Sequence, residues 1–142
     1  MFSVIKRIDF CYGHRLVNYD GVCRHLHGHN AAVEIVIDAA ALDDRNMVVD
    51  FSDVKRLVKA WIDRELDHKM ILRHDDPYVA LLRAQGEPVY TLDSNPTAER
   101  LAQLIFDQSR TLGLPVVEVR LWETPTSCAT YRASDDRVGR GL

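Results

Sequence analysis

From residue 27 to residue 38 the chain alternates in polarity, and the alternation begins inside a run of histidines. Ala31, Val33, Ile35 and Ile37 share one parity, while Asn30, Glu34 and Asp38 take the other. A period of two marks a half-buried strand, because successive side chains point to opposite faces. His27 and His29 carry the parity of the apolar residues. Both rings are therefore expected on the face that the core claims. This stretch demands a sheet with one covered face, and it sets two imidazoles at one end of that face.

The rest of the chain supplies the cover. Residues 2–12 read as a preceding strand, with Phe2, Val4, Ile8, Phe10 and Tyr12 on one parity and Lys6 as the exception. Asp43-Asp44-Arg45-Asn46 reads as a turn, and Met47-Val48-Val49 as a short extended return. Val54, Leu57, Val58, Trp61, Ile62 and Leu66 then follow helical spacing, with Asp50 or Ser52 as the cap. A second helix is expected after Asn95-Pro96, with Asn95 as N-cap and Pro96 at the first helical position. Ala98, Leu101, Ile105 and Leu112 line it, and Gly113 with Pro115 stops it.

Residues 116–123 and 128–133 read as two further strands turning around Pro125. The weakest signal lies in residues 72–94, where a short helix (Tyr78 to Arg83) and a short extended piece (Val89 to Leu92) are expected. The order is strand, strand, helix, helix, strand, strand. It predicts an α+β fold: a four-stranded antiparallel sheet with two helices on one face, its other face wet or covered by a partner. One domain over residues 1–133 is expected, followed by a mobile tail over 134–142.

Composition narrows the class of function. A chain of 142 residues can bury a core without a disulfide or metal to hold it. A net charge of -3, with no block of Lys and Arg, argues against nucleic-acid and anionic-membrane partners. No apolar run approaches the roughly 20 residues of a membrane span, and the first residues lack the pattern of a signal peptide. Three cysteines without framework spacing suit a reducing, cytoplasmic setting.

The chemistry concentrates in Cys23-Arg24-His25-Leu26-His27-Gly28-His29. Two neutral imidazoles on one strand face are a natural zinc pair, and Gly28 between them allows close approach of backbone or ligand. A catalytic zinc takes a third protein ligand and keeps one position open. His14 is the best candidate: it has the parity of Phe10 and Tyr12, and antiparallel pairing would bring it beside His27 and His29. His25 has the same parity and is the rival ligand. Cys23 is read as a zinc ligand or, preferably, a reactive thiol in the field of the metal. Cys11 and Cys128 are read as small buried apolar residues. Asp67 beside His68 can bias the tautomer of the ring, although adjacent side chains often point apart. Glu123 continues the apolar parity of Val117, Val119 and Leu121, so it needs a partner or a ligand, such as the N–H edge of a flat heterocycle. Trp61 and Trp122 are read as core or interface residues, Glu99 as a first-turn helix residue and His74 as a surface residue.

Taken in order, several motifs resemble the 6-pyruvoyltetrahydropterin synthase / 6-carboxytetrahydropterin synthase family. They are Gly13-His14-Arg15-Leu16, Cys23-x-x-x-His27-Gly28-His29, Val49-Asp50-Phe51, Leu66-Asp67-His68, Asn95-Pro96-Thr97-Ala98-Glu99 and Trp122-Glu123-Thr124. The resemblance implies the tunnelling fold, a β-β-α-α-β-β unit assembled as stacked rings, commonly hexamers, with active sites between subunits. It implies that His14, His27 and His29 bind Zn2+ and that Cys23 moves protons. Asp67 and His68 would assist from a neighbouring chain, Glu123 would anchor a pterin ring, and Thr97 would contact substrate.

The spacing of Cys23 from the His-Gly-His triplet is similar to that of the bacterial carboxytetrahydropterin type of the queuosine pathway. The implied substrate is 7,8-dihydroneopterin triphosphate. A pyruvoyl-type synthase, a folate-linked relative and a non-catalytic zinc-binding oligomeric module are the alternatives. The length of 72–94, the extra His25 and Pro125 after the anchoring glutamate depart from the family pattern.

Overall fold

The computed structural model describes residues 1–134. The two strands expected first form the longest ladder, β1 (Phe2–His14) and β2 (His27–Ala39), paired antiparallel from Phe2–Ala39 to His14–His27. The chain between them is not a tight hairpin. It carries a 3-10 turn at Val22–Arg24 and is closed by Leu16 N–H donating to the Cys23 carbonyl at 2.9 Å.

After β2 the chain reaches one face of the sheet as a continuous helical run. It comprises α1 (Phe51–Val54), a π-helical turn (Lys55–Lys59) and α2 (Ala60–Glu65). Asp50 caps it, its Oδ1 accepting from Ser52 N–H at 2.8 Å. Met47 to Val49 form no strand; that stretch is a bend that delivers the chain to the cap.

The expected four-stranded antiparallel sheet is in fact six-stranded and mixed, ordered β4-β3-β1-β2-β5-β6. β3 (Lys69–Arg73) runs parallel to the end of β1, and β4 (Val89–Leu92) runs parallel to β3. Between them α3 (Pro77–Ala84) makes the crossover that parallel strands require. Adjacent residues Ile71 and Leu72 are both sealed from water. Both faces of β3 are therefore covered at that point, which erases the alternation that reveals a half-buried strand.

α4 (Ala98–Thr111) starts two residues later than expected, because Thr97 rather than Asn95 is the cap; its Oγ1 accepts from Arg100 N–H at 3.2 Å. Gly113, at φ 96°, ends α4 in the left-handed conformation that glycine adopts freely. β5 (Val116–Thr124) and β6 (Ser127–Arg132) complete the sheet.

Val54, Val58, Trp61, Ile62 and Leu66 from the first helical run meet the inner sheet face beside Leu101, Ala102, Ile105 and Phe106 of α4. The sheet answers with Ile8, Phe10, Tyr12, Val33, Ile35, Ile37, Val119 and Leu121. Full burial of a large apolar side chain contributes about 1.5–3 kcal/mol, so this interface holds the fold. A bulge at Val36/Ile37 shifts the register so that Val116, not Val117, joins the core.

The outer face carries a network of polar contacts. Glu118, 7% exposed, accepts from Arg120 and Arg132. Trp122 Nε1–H donates to Glu34 there, rather than packing in the core. No helix among the described residues is long and apolar enough to cross a membrane. The tail expected over 134–142 lies, beyond Ser134, outside the described residues.

Candidate metal centre and active-site cavity

Strand pairing builds the site. His14 and His27 are partners in the β1–β2 ladder, and His29 is partnered by Tyr12. All three rings lie on the core face at the ladder's end. Ring centroids are 4.5 Å apart for His14 and His27, and 5.1 Å apart for each of the other two pairs. One ring nitrogen from each of the three lies within 4.8 Å of the others. Close backbone approach makes this possible: a Cβ on Gly28 would stand 3.1 Å from the Tyr12 carbonyl oxygen.

Two backbone carbonyls fix the tautomers. His14 Nδ1–H donates to the Pro96 carbonyl at 2.7 Å, and His27 Nδ1–H donates to the His25 carbonyl at 2.7 Å. Both arrangements leave Nε2 as a lone-pair nitrogen, as carbonyls behind metal-binding histidines commonly do. His25 itself is exposed and outside the cluster; it contributes its carbonyl, not its ring.

The Nε2 atoms of His14 and His29 are buried and have no hydrogen-bond partner among the described residues. Glu123 Oε1 lies 3.3 Å from each, without the alignment of a hydrogen bond. Buried unpaired nitrogen lone pairs are costly in a closed interior. A divalent cation with nitrogen preference resolves them, so the residues present fit zinc. Burial pushes the His14 pKa down, more than the Pro96 carbonyl and Glu123 raise it, and the other two histidines add to the fall. The ring is thereby kept neutral, the form that binds metal.

Tyr12 is the residue that sequence reading overlooked, although it shares His14's parity. Its hydroxyl donates to Glu123 Oε1 at 3.3 Å. Burial, then the charge of Glu123 and that hydrogen bond, push its pKa far above the usual phenol value.

A cavity of about 330 Å³ opens beside the cluster, lined by His14, Cys23, Thr97, Glu99, Glu123 and Cys128 among others. Cys23 and Thr97 share this cavity with His14. Glu99 and Cys128 were not expected in the lining. Cys128 is exposed rather than buried, because it sits on the edge strand β6, and Cys11 is half-buried.

The loops that deliver His14 and Thr97 are tied together. Val17 N–H donates to Asn95 Oδ1 at 3.0 Å, and Asn95 Nδ2–H donates to the Val17 carbonyl at 2.9 Å. That pairing occupies the Asn95 side chain and leaves capping to Thr97. The next turn is anchored by Arg15, whose guanidinium grips buried Asp76 at 2.6 and 2.7 Å and lies over the Tyr78 ring.

Asp67 and His68 do not line this cavity. They stand beside Cys11, whose parity directs it to the sheet face opposite His14. The neighbours do point together: His68 Nδ1 is 2.9 Å from Asp67 Oδ2. Burial raises the Asp67 pKa, but hydrogen bonds from the Cys11 amide and from His68 outweigh it and hold the carboxyl below its ordinary value.

Comparison with known proteins agrees with this geometry. A family profile described as "6-pyruvoyl tetrahydropterin synthase" matches residues 3–134. A protein of Rickettsia bellii named 6-carboxy-5,6,7,8-tetrahydropterin synthase is 36% identical over 135 residues, spanning 88% of this chain and 96% of its own. Among solved structures, an uncharacterized protein of Wolinella succinogenes superposes with a TM-score of 0.73 at 28% identity, covering 92% of this chain and 97% of its own. The 6-pyruvoyl tetrahydropterin synthase of Caenorhabditis elegans superposes with a TM-score of 0.72 at 22% identity, covering 94% and 96%, a likeness of fold. The sheet, the helices and the ordered motifs are those of the tunnelling fold, and the chain belongs to the 6-pyruvoyl tetrahydropterin synthase family.

Proposed function

We propose that the chain is a zinc-dependent lyase. It converts 7,8-dihydroneopterin triphosphate to 6-carboxy-5,6,7,8-tetrahydropterin, releasing triphosphate and acetaldehyde, in the queuosine branch of 7-deazapurine biosynthesis. The observation that carries this reading is the pair of buried, unpartnered Nε2 atoms on His14 and His29, beside a cavity that His14 shares with Cys23, Thr97 and Glu123. The name of the Rickettsia bellii relative supports the carboxy-type product.

His14, His27 and His29 would hold zinc through their Nε2 atoms. The bound ion would supply a Lewis acid that acidifies the C–H beside the substrate's side-chain hydroxyls. Cys23 lines the same cavity and moves protons at Sγ. Glu123, turned to the cavity, offers two acceptor oxygens to the paired N–H groups of a pterin edge. Thr97, at the start of α4, orients the same ring. Tyr12, kept protonated by burial, steadies Glu123 from behind.

Asp67 holds the Nδ1–H of His68 and leaves its Nε2 with a free lone pair. Because this pair lies away from the cavity of its own chain, it serves the cavity of a neighbouring chain. The functional unit is accordingly a homo-oligomer, a hexamer in this reading, working in the cytoplasm.

The test is to incubate the zinc-loaded protein with 7,8-dihydroneopterin triphosphate and identify the product by mass spectrometry. A 6-carboxy product supports the reading. A 6-pyruvoyl product moves the chain to the pyruvoyl-type reaction. Zinc binding without turnover favours a non-catalytic module.

A further inference from the structure

Apart from the three histidines, the described residues hold a second cluster of metal-ligand side chains. Cys11, Asp67 and His68 each place one donor atom within 4.8 Å of the other two. Thiol, carboxylate and imidazole are the three side-chain types that zinc accepts.

The fold builds this cluster. The Cys11 amide donates to Asp67 Oδ1 at 3.0 Å, and the Cys11 carbonyl accepts from His68 N–H at 2.7 Å. The C-terminal end of β1 is thereby stitched to the turn that follows α2. His68 sits at φ 59°, in the left-handed region. That conformation costs a non-glycine residue about 1–2 kcal/mol. It turns the ring back against its own neighbour, so that the imidazole and the carboxylate converge. Cys11 and His68 line a cavity of about 650 Å³ together with His27, His29, Glu87 and Pro88. In the single chain the His68 side chain is 78% exposed, open to a hydrated ion.

We propose that Cys11, Asp67 and His68 form a second divalent-metal site, whose occupation takes His68 out of proton transfer. On binding, the Cys11 S–H proton passes to solvent; the sulfur, a carboxylate oxygen and an imidazole nitrogen then hold the ion, leaving a position for water. No electron is transferred. The two sites differ in kind: the histidine cluster offers three imidazoles, whereas this cluster offers a thiolate. One equivalent of metal activates the protein and a second inhibits it. The inhibition rests on the role proposed above for His68; the binding does not.

The experiment titrates the metal-stripped full chain with Co2+, recording equivalents bound and sulfur-to-cobalt charge-transfer absorption. Two equivalents per chain are expected, one of them bringing the absorption. Cys11→Ser should lose that equivalent and the absorption, and Cys23→Ala should keep both. His27→Ala should lose the other equivalent and keep the absorption. A single equivalent in the parent, or an absorption that survives Cys11→Ser and vanishes in Cys23→Ala, overturns the proposal. If Cys11→Ser fails to fold, His68→Ala changes only an exposed side chain, and unchanged stoichiometry in it is equally fatal. Retention of all metal by His27→Ala would instead refute the histidine site and leave this one standing.

Discussion

Asn95→Ala separates the scaffold of the histidine site from its chemistry. Asn95 makes two hydrogen bonds with the Val17 backbone, at 3.0 and 2.9 Å. Each contributes about 0.5–1.5 kcal/mol net, and a stranded half-buried N–H adds part of the roughly 1–3 kcal/mol desolvation cost. The loss in the metal-free protein should be about 1.5–3 kcal/mol, read as a lower urea midpoint at unchanged slope. The same change loosens the loop that presents the Pro96 carbonyl to His14 Nδ1 at 2.7 Å. Loss of such a second-shell partner weakens metal binding by about 10–100-fold. Competition with a chelator at fixed pH measures that term on its own. Destabilised protein whose zinc affinity stays within about twofold of the parent would show that the Pro96 carbonyl does not set the tautomer of His14.

Other outcomes follow from the same geometry. Cys23→Ala should keep its zinc by elemental analysis while turnover drops by about 10²–10⁴-fold, the range of a lost acid–base group; normal turnover would remove Cys23 from proton transfer. His27→Ala should lose cavity zinc yet remain folded by circular dichroism, since its ring is only half-buried; full occupancy in the cavity would sink the ligand assignment. The metal-free protein should also be sensitive to mild acid. Its His14 has a folded pKa below the ordinary value, so the unfolded chain takes up the proton first, near pH 6.5. The stabilising contribution is present above that pH and is lost as pH falls below it. Urea midpoints against pH should show the loss, and His14→Asn should flatten it.

The parts of the fold written in period two or 3.6 were legible in the sequence. β1, β2 and the first helical run follow from spacing alone, and so does the meeting of His14 with His27 and His29, because antiparallel pairing follows from two adjacent alternating strands. β3 was hidden because Ile71 and Leu72 are both covered, which removes the alternation. The cap of α4 was misplaced because Asn95, a good cap by residue type, spends its side chain on Val17. Cys128 was misjudged because a strand pattern does not announce that its strand lies at an edge. The convergence of Asp67 and His68 depends on one left-handed backbone angle, which the residue type does not declare.

The connection between β1 and β2 is too long to dictate the register of their ladder, as a tight hairpin turn would. Side chains must choose it. A slip of one residue would send His14 to the opposite face from His27 while turning Ile8 and Phe10 out of the core. The histidines therefore act as a parity check on the longest ladder in the molecule. A chain slipped by one residue has no place for the ion, so a bound ion reports that the two strands turn matching faces to the core.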